Sequence, residues 1–153
     1  MSRSILHRIV RTHGWAPVVL RTVAGTIFAA HGAQELFGWF GGHGLDGAGQ
    51  WMEKAGLLPG YPAAVLAASA EFLGGLALIL GLMVRPACAV LTIVMAAAIV
   101  AMRFKDGLIT ADNGYEFGLS LLIISVSLLL TGAGRASVDH AVQRALAHHR
   151  QPA

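Results

Sequence analysis

Apolar residues along the chain fall into four runs, at about 17–40, 62–84, 86–102 and 115–131. None alternates with the two-residue period of a half-buried strand. Each is roughly 17–24 residues long, so as a helix it would reach about 25–36 Å. A hydrocarbon core of about 30 Å needs such lengths. Pro62 and Pro86 stand where helices start, which suits a residue without an amide hydrogen. The pattern predicts an all-α fold: an integral membrane four-helix bundle forming one transmembrane domain over 1–153. Short amphipathic stretches flank it. Ile5, Leu6, Ile9 and Val10 share a face within 3–13. Val138, Val142, Ala145 and Leu146 do so within 137–149, after a Ser137 N-cap. Both are expected to lie along the membrane surface as interfacial helices.

Composition supports the same fold. The 153 residues are 56% hydrophobic and 12% charged, with a formal charge of +3. Soluble domains carry roughly 25% charged residues, so too few charges are present to cover a water-facing surface. The basic residues cluster at the ends of apolar runs rather than along a stripe, which argues against a nucleic-acid partner. With four crossings, Arg3, Arg8, Arg11, Arg21, Arg85, Arg135, Arg144 and Arg150 fall on one side and Lys54, Arg103 and Lys105 on the other. The positive-inside rule then gives a multi-pass protein of the bacterial cytoplasmic (inner) membrane with both termini cytoplasmic. Arg21 is expected to snorkel to the inner surface. It also interrupts the hydrophobic stretch that a cleaved signal peptide would need. The outer loop over 41–61 is rich in glycine and aromatics, with Trp39, Trp51 and Tyr61 at headgroup level and a short helix near 48–55.

Polar groups inside the runs raise the question of chemistry, because charge at membrane depth is costly and needs a partner or a purpose. His31 and Glu35 are four residues apart and stack on one helical face, with Gln34 beside them. Glu71 lies near the middle of the second run among Ala64, Ala67, Gly74 and Gly75. Small residues admit a neighbouring helix, so Glu71 is expected to point inward. Glu116, Ser120, Ser127 and Thr131 share a face of the fourth run, and Cys88, Thr92 and Arg103 a face of the third. Four such faces could meet in a bundle core, with His31, Gln34, Glu35, Glu71, Arg103 and Glu116 as the candidate ligand site. The structural alternatives are specific: hydroxyls bonded to their own backbone, Glu116 placed for the helix dipole, Arg103 at the outer surface, or a glutamate–arginine pair that only fixes packing.

A histidine and carboxylates in low dielectric can trade protons. That suits a quinone headgroup, whose reduction needs protons, and also a proton-coupled carrier. His31 and Glu35 have the spacing of two metal ligands, but the set is sparse, and no metal is expected. Cys88 is the only cysteine, so no internal disulfide or paired-thiol chemistry is expected, and no covalent cofactor either. Small-residue lines such as Gly25, Ala29 and Ala33 could pack within one chain or between copies in a homo-oligomer.

The stretches HGAQELFGWFGGHG, EFLGGLALILGLMVRPACAVLTIVMAA and NGYEFGLSLLIISVSLLLTGAGRASVDHA resemble the DoxX family across roughly 17–142. The combination carries the likeness: Glu71 before a glycine pair, Arg85 after the second run, Gly114-Tyr115-Glu116 opening the fourth, and Gly132 to Asp139 closing it. The resemblance implies a four-helix protein of bacterial inner membranes, associated with terminal quinol oxidases or thiosulfate–quinone oxidoreduction. Many members carry an oxidoreductase label, and no catalytic residue list transfers. The expectation is a redox-associated membrane subunit that interacts with quinone or with the subunits of an oxidoreductase complex. The alternatives are a non-catalytic membrane assembly protein and, less favoured, a small proton-coupled permease.

Overall fold

A computed structural model describes residues 15–101, 115–134 and 136–139. Within these residues the chain forms helices and no strands: α1 (Ala16–Phe37), α2 (Gly44–Lys54), α3 (Gly60–Leu80), α4 (Val84–Ala101) and α5 (Glu116–Thr131), with a 3-10 turn at Trp39–Gly41. The fold is that of an all-α helical membrane protein. α3 and α4 are each long and apolar enough to cross a membrane, and α5 is a shorter apolar helix of 16 residues. The expected interfacial segment at 3–13 lies outside the described residues, as do Arg103 and all of the segment expected at 137–149 beyond Asp139.

Helix ends differ from the expected spans for local reasons. The first helix stops at Phe37 rather than continuing to Phe40, because Gly38 takes a left-handed conformation and its N–H donates to the Gln34 carbonyl. The second ends at Leu80 rather than near 84. Gly81, at φ +69°, caps this helix, α3, and α4 begins at Val84, so Pro62 and Pro86 each fall in a first turn.

α1 and α3 form the tightest pair, and the reason is the absence of side chains between them. A Cβ on Gly32 would lie 2.5 Å from the Phe72 nitrogen and 2.7 Å from the Ala68 oxygen. One on Gly25 would lie 2.7 Å from the Gly75 oxygen. Gly75 in turn presses on the Ala29 backbone. Small residues let the two backbones touch, which is how helices associate where lipid removes the hydrophobic drive between them. α2 lies across the start of α3, with Gly49 against Tyr61 and Met52 buried.

All four long helices share one core of Ala24, Phe28, Leu78, Val84, Cys88, Leu91, Met95, Leu121 and Leu128. Four polar faces meeting in the bundle centre were expected; an apolar cluster is found there. The Ser120, Ser127 and Thr131 hydroxyls point outward and donate to their own backbone four residues back, and Thr92 does the same to Cys88. The outer surface is apolar: Leu66, Leu73 and Leu80 are exposed at seven-residue spacing on α3, with Ile93 and Val100 on α4 and Ile123 and Leu130 on α5. Acyl chains are the natural solvent for such a surface.

Candidate functional site

Two polar centres lie along the α1–α3 pair, one running from the middle of α3 toward the end of α1 and the other at the Leu80 end of α3. At the first, α1 and α3 bring His31, Gln34, Glu35 and Glu71 to one region. Glu71 lies about 17 Å along a helix of about 30 Å, and its side chain is buried at 5% exposure, as inward pointing requires. Its neighbours on the buried face of α3 are Ala64, Ala68, Gly75 and Leu78. Glu35 is one turn closer to the end of α1 and near enough to Glu71 for the two carboxyl groups to interact electrostatically. The His31 Nε2 stands 4.0 Å from the Glu35 Oε1, which makes an ion pair when the imidazole is protonated. His31 is half exposed and Glu35 about a quarter, so accessibility falls from His31 through Glu35 to Glu71. Gln34 is held by donating its Nε2 to the Phe40 carbonyl at 3.4 Å. Phe37 stacks edge-on against Phe72, with ring centroids 5.4 Å apart, and Trp39 extends the aromatic rim.

The chemistry of this group lies in what is left over. The Oε2 atoms of both Glu35 and Glu71 are buried and lack a hydrogen-bond partner among the described residues. Among the described residues no arginine or lysine pairs with either carboxyl: Lys54 and Arg85 are exposed, and Arg21 is committed elsewhere. Buried polar atoms are almost always satisfied, so two orphaned acid oxygens in one region of the α1–α3 contact are an exception. Glu116 does not join them; it is exposed on the first turn of α5, and no hydrogen bond or ion pair links it to Glu71.

The second centre was missed by reading the sequence. Arg21 does not snorkel; it is buried at 3% exposure. Its guanidinium donates Nε to the Ala133 carbonyl at 3.1 Å and Nη1 to the Leu78 and Ile79 carbonyls at 2.6 and 2.7 Å, while Nη2 donates to the Ala136 carbonyl. It thereby gathers the last carbonyls of α3 and the segment after α5, groups that a helix end leaves open. A Cβ on Gly81 would come within 2.8 Å of the guanidinium carbon. Asp139 completes the network. Its carboxylate accepts from the Met83 and Val84 N–H groups at 2.8 and 3.1 Å, capping α4, and its own N–H donates to the Gly81 carbonyl at 3.1 Å. The readable signal was Asp139 itself, an acid in a closing motif that must return to a helix start. Ser125 was also missed. It is fully buried with an unpartnered hydroxyl, and shares a face with Leu121 and Leu128 rather than with the other hydroxyls.

The DoxX family model matches residues 16–103, which contain both Arg21 and the whole His31–Glu71 group. The chain belongs to the DoxX family. A relative from Bacillus subtilis (strain 168), named "Putative oxidoreductase CatD", is 30% identical over 122 residues, covering 80% of this chain and 83% of the relative. No solved structure matches the chain. The family is membrane-associated, in agreement with the exposed apolar faces of α3, α4 and α5. Within this DoxX chain the Asp139 end is architectural in every contact it makes, whereas the Glu71 end leaves acids without partners.

Proposed function

We propose that this DoxX protein is a redox-associated subunit of the bacterial inner membrane that binds a quinone headgroup beside Glu71, in company with the subunits of an oxidoreductase complex. The observation that carries the reading is the unpartnered Glu71 Oε2 in a Gly- and Ala-lined helix contact. Packing alone would be served by alanine there, and an intramembrane acid is functional by default. Quinone chemistry couples electron transfer to proton uptake and release. In this chain Glu71 and Glu35 would hold and pass the proton, His31 would hydrogen-bond the headgroup from the half-open side, and the Phe37–Phe72 rim would pack against the ring. In this reading both termini are cytoplasmic, with Arg21, Arg85 and Asp139 at the inner end and Glu35 toward the outer one. Such an arrangement follows the positive-inside rule.

The test is binding. Purified in mild detergent, the protein is expected to retain extractable quinone and to bind an added short-chain quinone, with affinity reduced about tenfold in Glu71→Gln, the loss of roughly one hydrogen bond. A wild-type protein that retains no quinone, binds none and shows no quinone-dependent turnover with its complex would overturn the reading.

A second reading, a non-catalytic assembly protein, draws on the Arg21–Asp139 network, which shows this chain using buried charge to fix helix ends. Under it Glu71 sets only the register of α1 against α3, and Glu71→Gln lowers thermal stability and recovery of the complex with no binding to lose.

A further inference from the structure

The two oxygens of Glu35 face different surroundings. Oε2 is buried without a partner, on a carboxyl that lies within electrostatic reach of Glu71. Oε1 is 4.0 Å from the Nε2 of His31, whose side chain is half exposed. Glu71 has no comparable opening, since its side chain is 5% exposed and its Oε2 meets no donor. Among the described residues no arginine or lysine stands beside either acid, and burying a bare carboxylate in that way is costly. The charged groups of the neighbouring elements do not change this: Glu53 and Lys54 of α2 are exposed, and Arg21 of α1 is bound at the opposite end.

The geometry points to a proton relay running from Glu71 through Glu35 to His31, with Glu35 as the obligatory middle member. Glu35 starts as the neutral acid with its proton on Oε1. That O–H bond breaks toward the Nε2 of His31, 4.0 Å away, as the proton leaving the Glu71 carboxyl forms a new O–H bond at the Glu35 Oε2; His31 then releases its proton at the open face. One proton moves outward. Rotation of the Glu35 carboxyl returns its remaining proton to the Oε1 side, and the carboxylate left on Glu71 takes a proton from a bound quinol or, without ligand, from a solvent proton entering by the same path. This deepens the quinone reading, on which its use rests, by assigning separate parts to the two acids: Glu71 meets the ligand and Glu35 connects Glu71 to water.

Infrared spectroscopy of the ligand-free protein in detergent tests the relay without any redox activity. Transfer into deuterated buffer shifts the stretching band of a protonated carboxyl, and the part of the band lost in Glu71→Gln belongs to Glu71. Glu35→Gln is expected to slow that shift about tenfold or more, the scale on which a positioned proton-transfer group acts. Glu35→Asp should restore much of the rate and His31→Asn should give a partial slowing. A merely structural Glu35 would not produce rescue by the shorter acid. If Glu35→Gln does not fold, His31→Asn carries the comparison. An unchanged rate in the variants, or no Glu71-dependent band at neutral pH, overturns the relay. Quinone binding measured on the same samples separates the two proposals: binding with an unchanged exchange rate removes the relay alone, and slowed exchange without binding removes the quinone reading alone.

Discussion

Arg21 and Glu71 are both ionisable, both nearly fully buried and both on the α1–α3 pair, yet their surroundings are opposites. The guanidinium of Arg21 is enclosed by four backbone carbonyls drawn from two parts of the chain. The Glu71 carboxyl has an oxygen with no partner at all, next to a second acid in the same condition. A buried charge is tolerated when it is hydrogen-bonded and penalised when it is not. The fully satisfied centre therefore explains itself as architecture, and the unsatisfied one asks for something that arrives from outside. In a chain with so few charges, the difference in satisfaction separates scaffold from site more sharply than burial does.

The largest effect that sharpens this contrast belongs to Arg21. Arg21→Met would strand the Ile79, Ala133 and Ala136 carbonyls and free the segment after α5. Several hydrogen bonds to a charged donor are lost together, so the expected destabilisation is about 3 kcal/mol or more. Thermal unfolding in detergent, followed by circular dichroism, reads it. A variant that unfolds with the wild type would break the comparison by making the Arg21 network ornamental.

Next comes the helix contact that brings the acids together. A side chain at Gly75 must displace the Ala29 backbone, which no rotamer can avoid. Gly75→Leu is expected to cost about 1–3 kcal/mol by overpacking and to weaken ligand binding as well, because it parts α1 from α3. The same substitution at Gly41, where a Cβ would meet nothing within 4 Å, tests whether the effect is one of contact. Gly41 has a positive φ, so its variant carries local backbone strain without touching α3. Asp139→Ala follows, with a loss of about 1 kcal/mol typical of an N-cap and no change in the Glu71 group. Melting temperature and quinone affinity measured together check that split.

Much of the fold could be read from the order of residues, and the site only in part. Apolar run lengths placed all four long helices within a few residues, since a helix buried in lipid has to be apolar for its whole length. The depth of Glu71 and its small neighbours announced an inward-facing acid, and the four-residue spacing of His31 and Glu35 announced their pairing. Arg21 could not be read this way. Its partners are carbonyls, which every residue has and which leave no mark in a sequence; only Asp139 hinted that the chain closes back on itself. The hydroxyl stripe misled for a related reason. Ser120, Ser127 and Thr131 satisfy themselves on their own backbone, so their shared face carries no demand to be buried. Ser125 hides among leucines and is the hydroxyl that the core in fact takes in.

The smallest expected change in stability, and the most telling, is that of Glu71→Gln. The amide keeps the shape of the acid and removes any residual charge from an interface in which the described residues offer it no cation. If the acid is present for packing, the exchange should cost on the order of 1 kcal/mol, as other buried hydrogen-bonding groups do. If it is present for a ligand, the folded protein has been carrying an unmet cost, and relieving it should leave the melting temperature unchanged or raise it while binding falls. Functional sites hold such unmet costs because the ligand supplies the missing partner. A stability gain in Glu71→Gln set beside a large loss in Arg21→Met would place the two buried ionisable groups in different classes by measurement. A loss in both would return Glu71 to the scaffold.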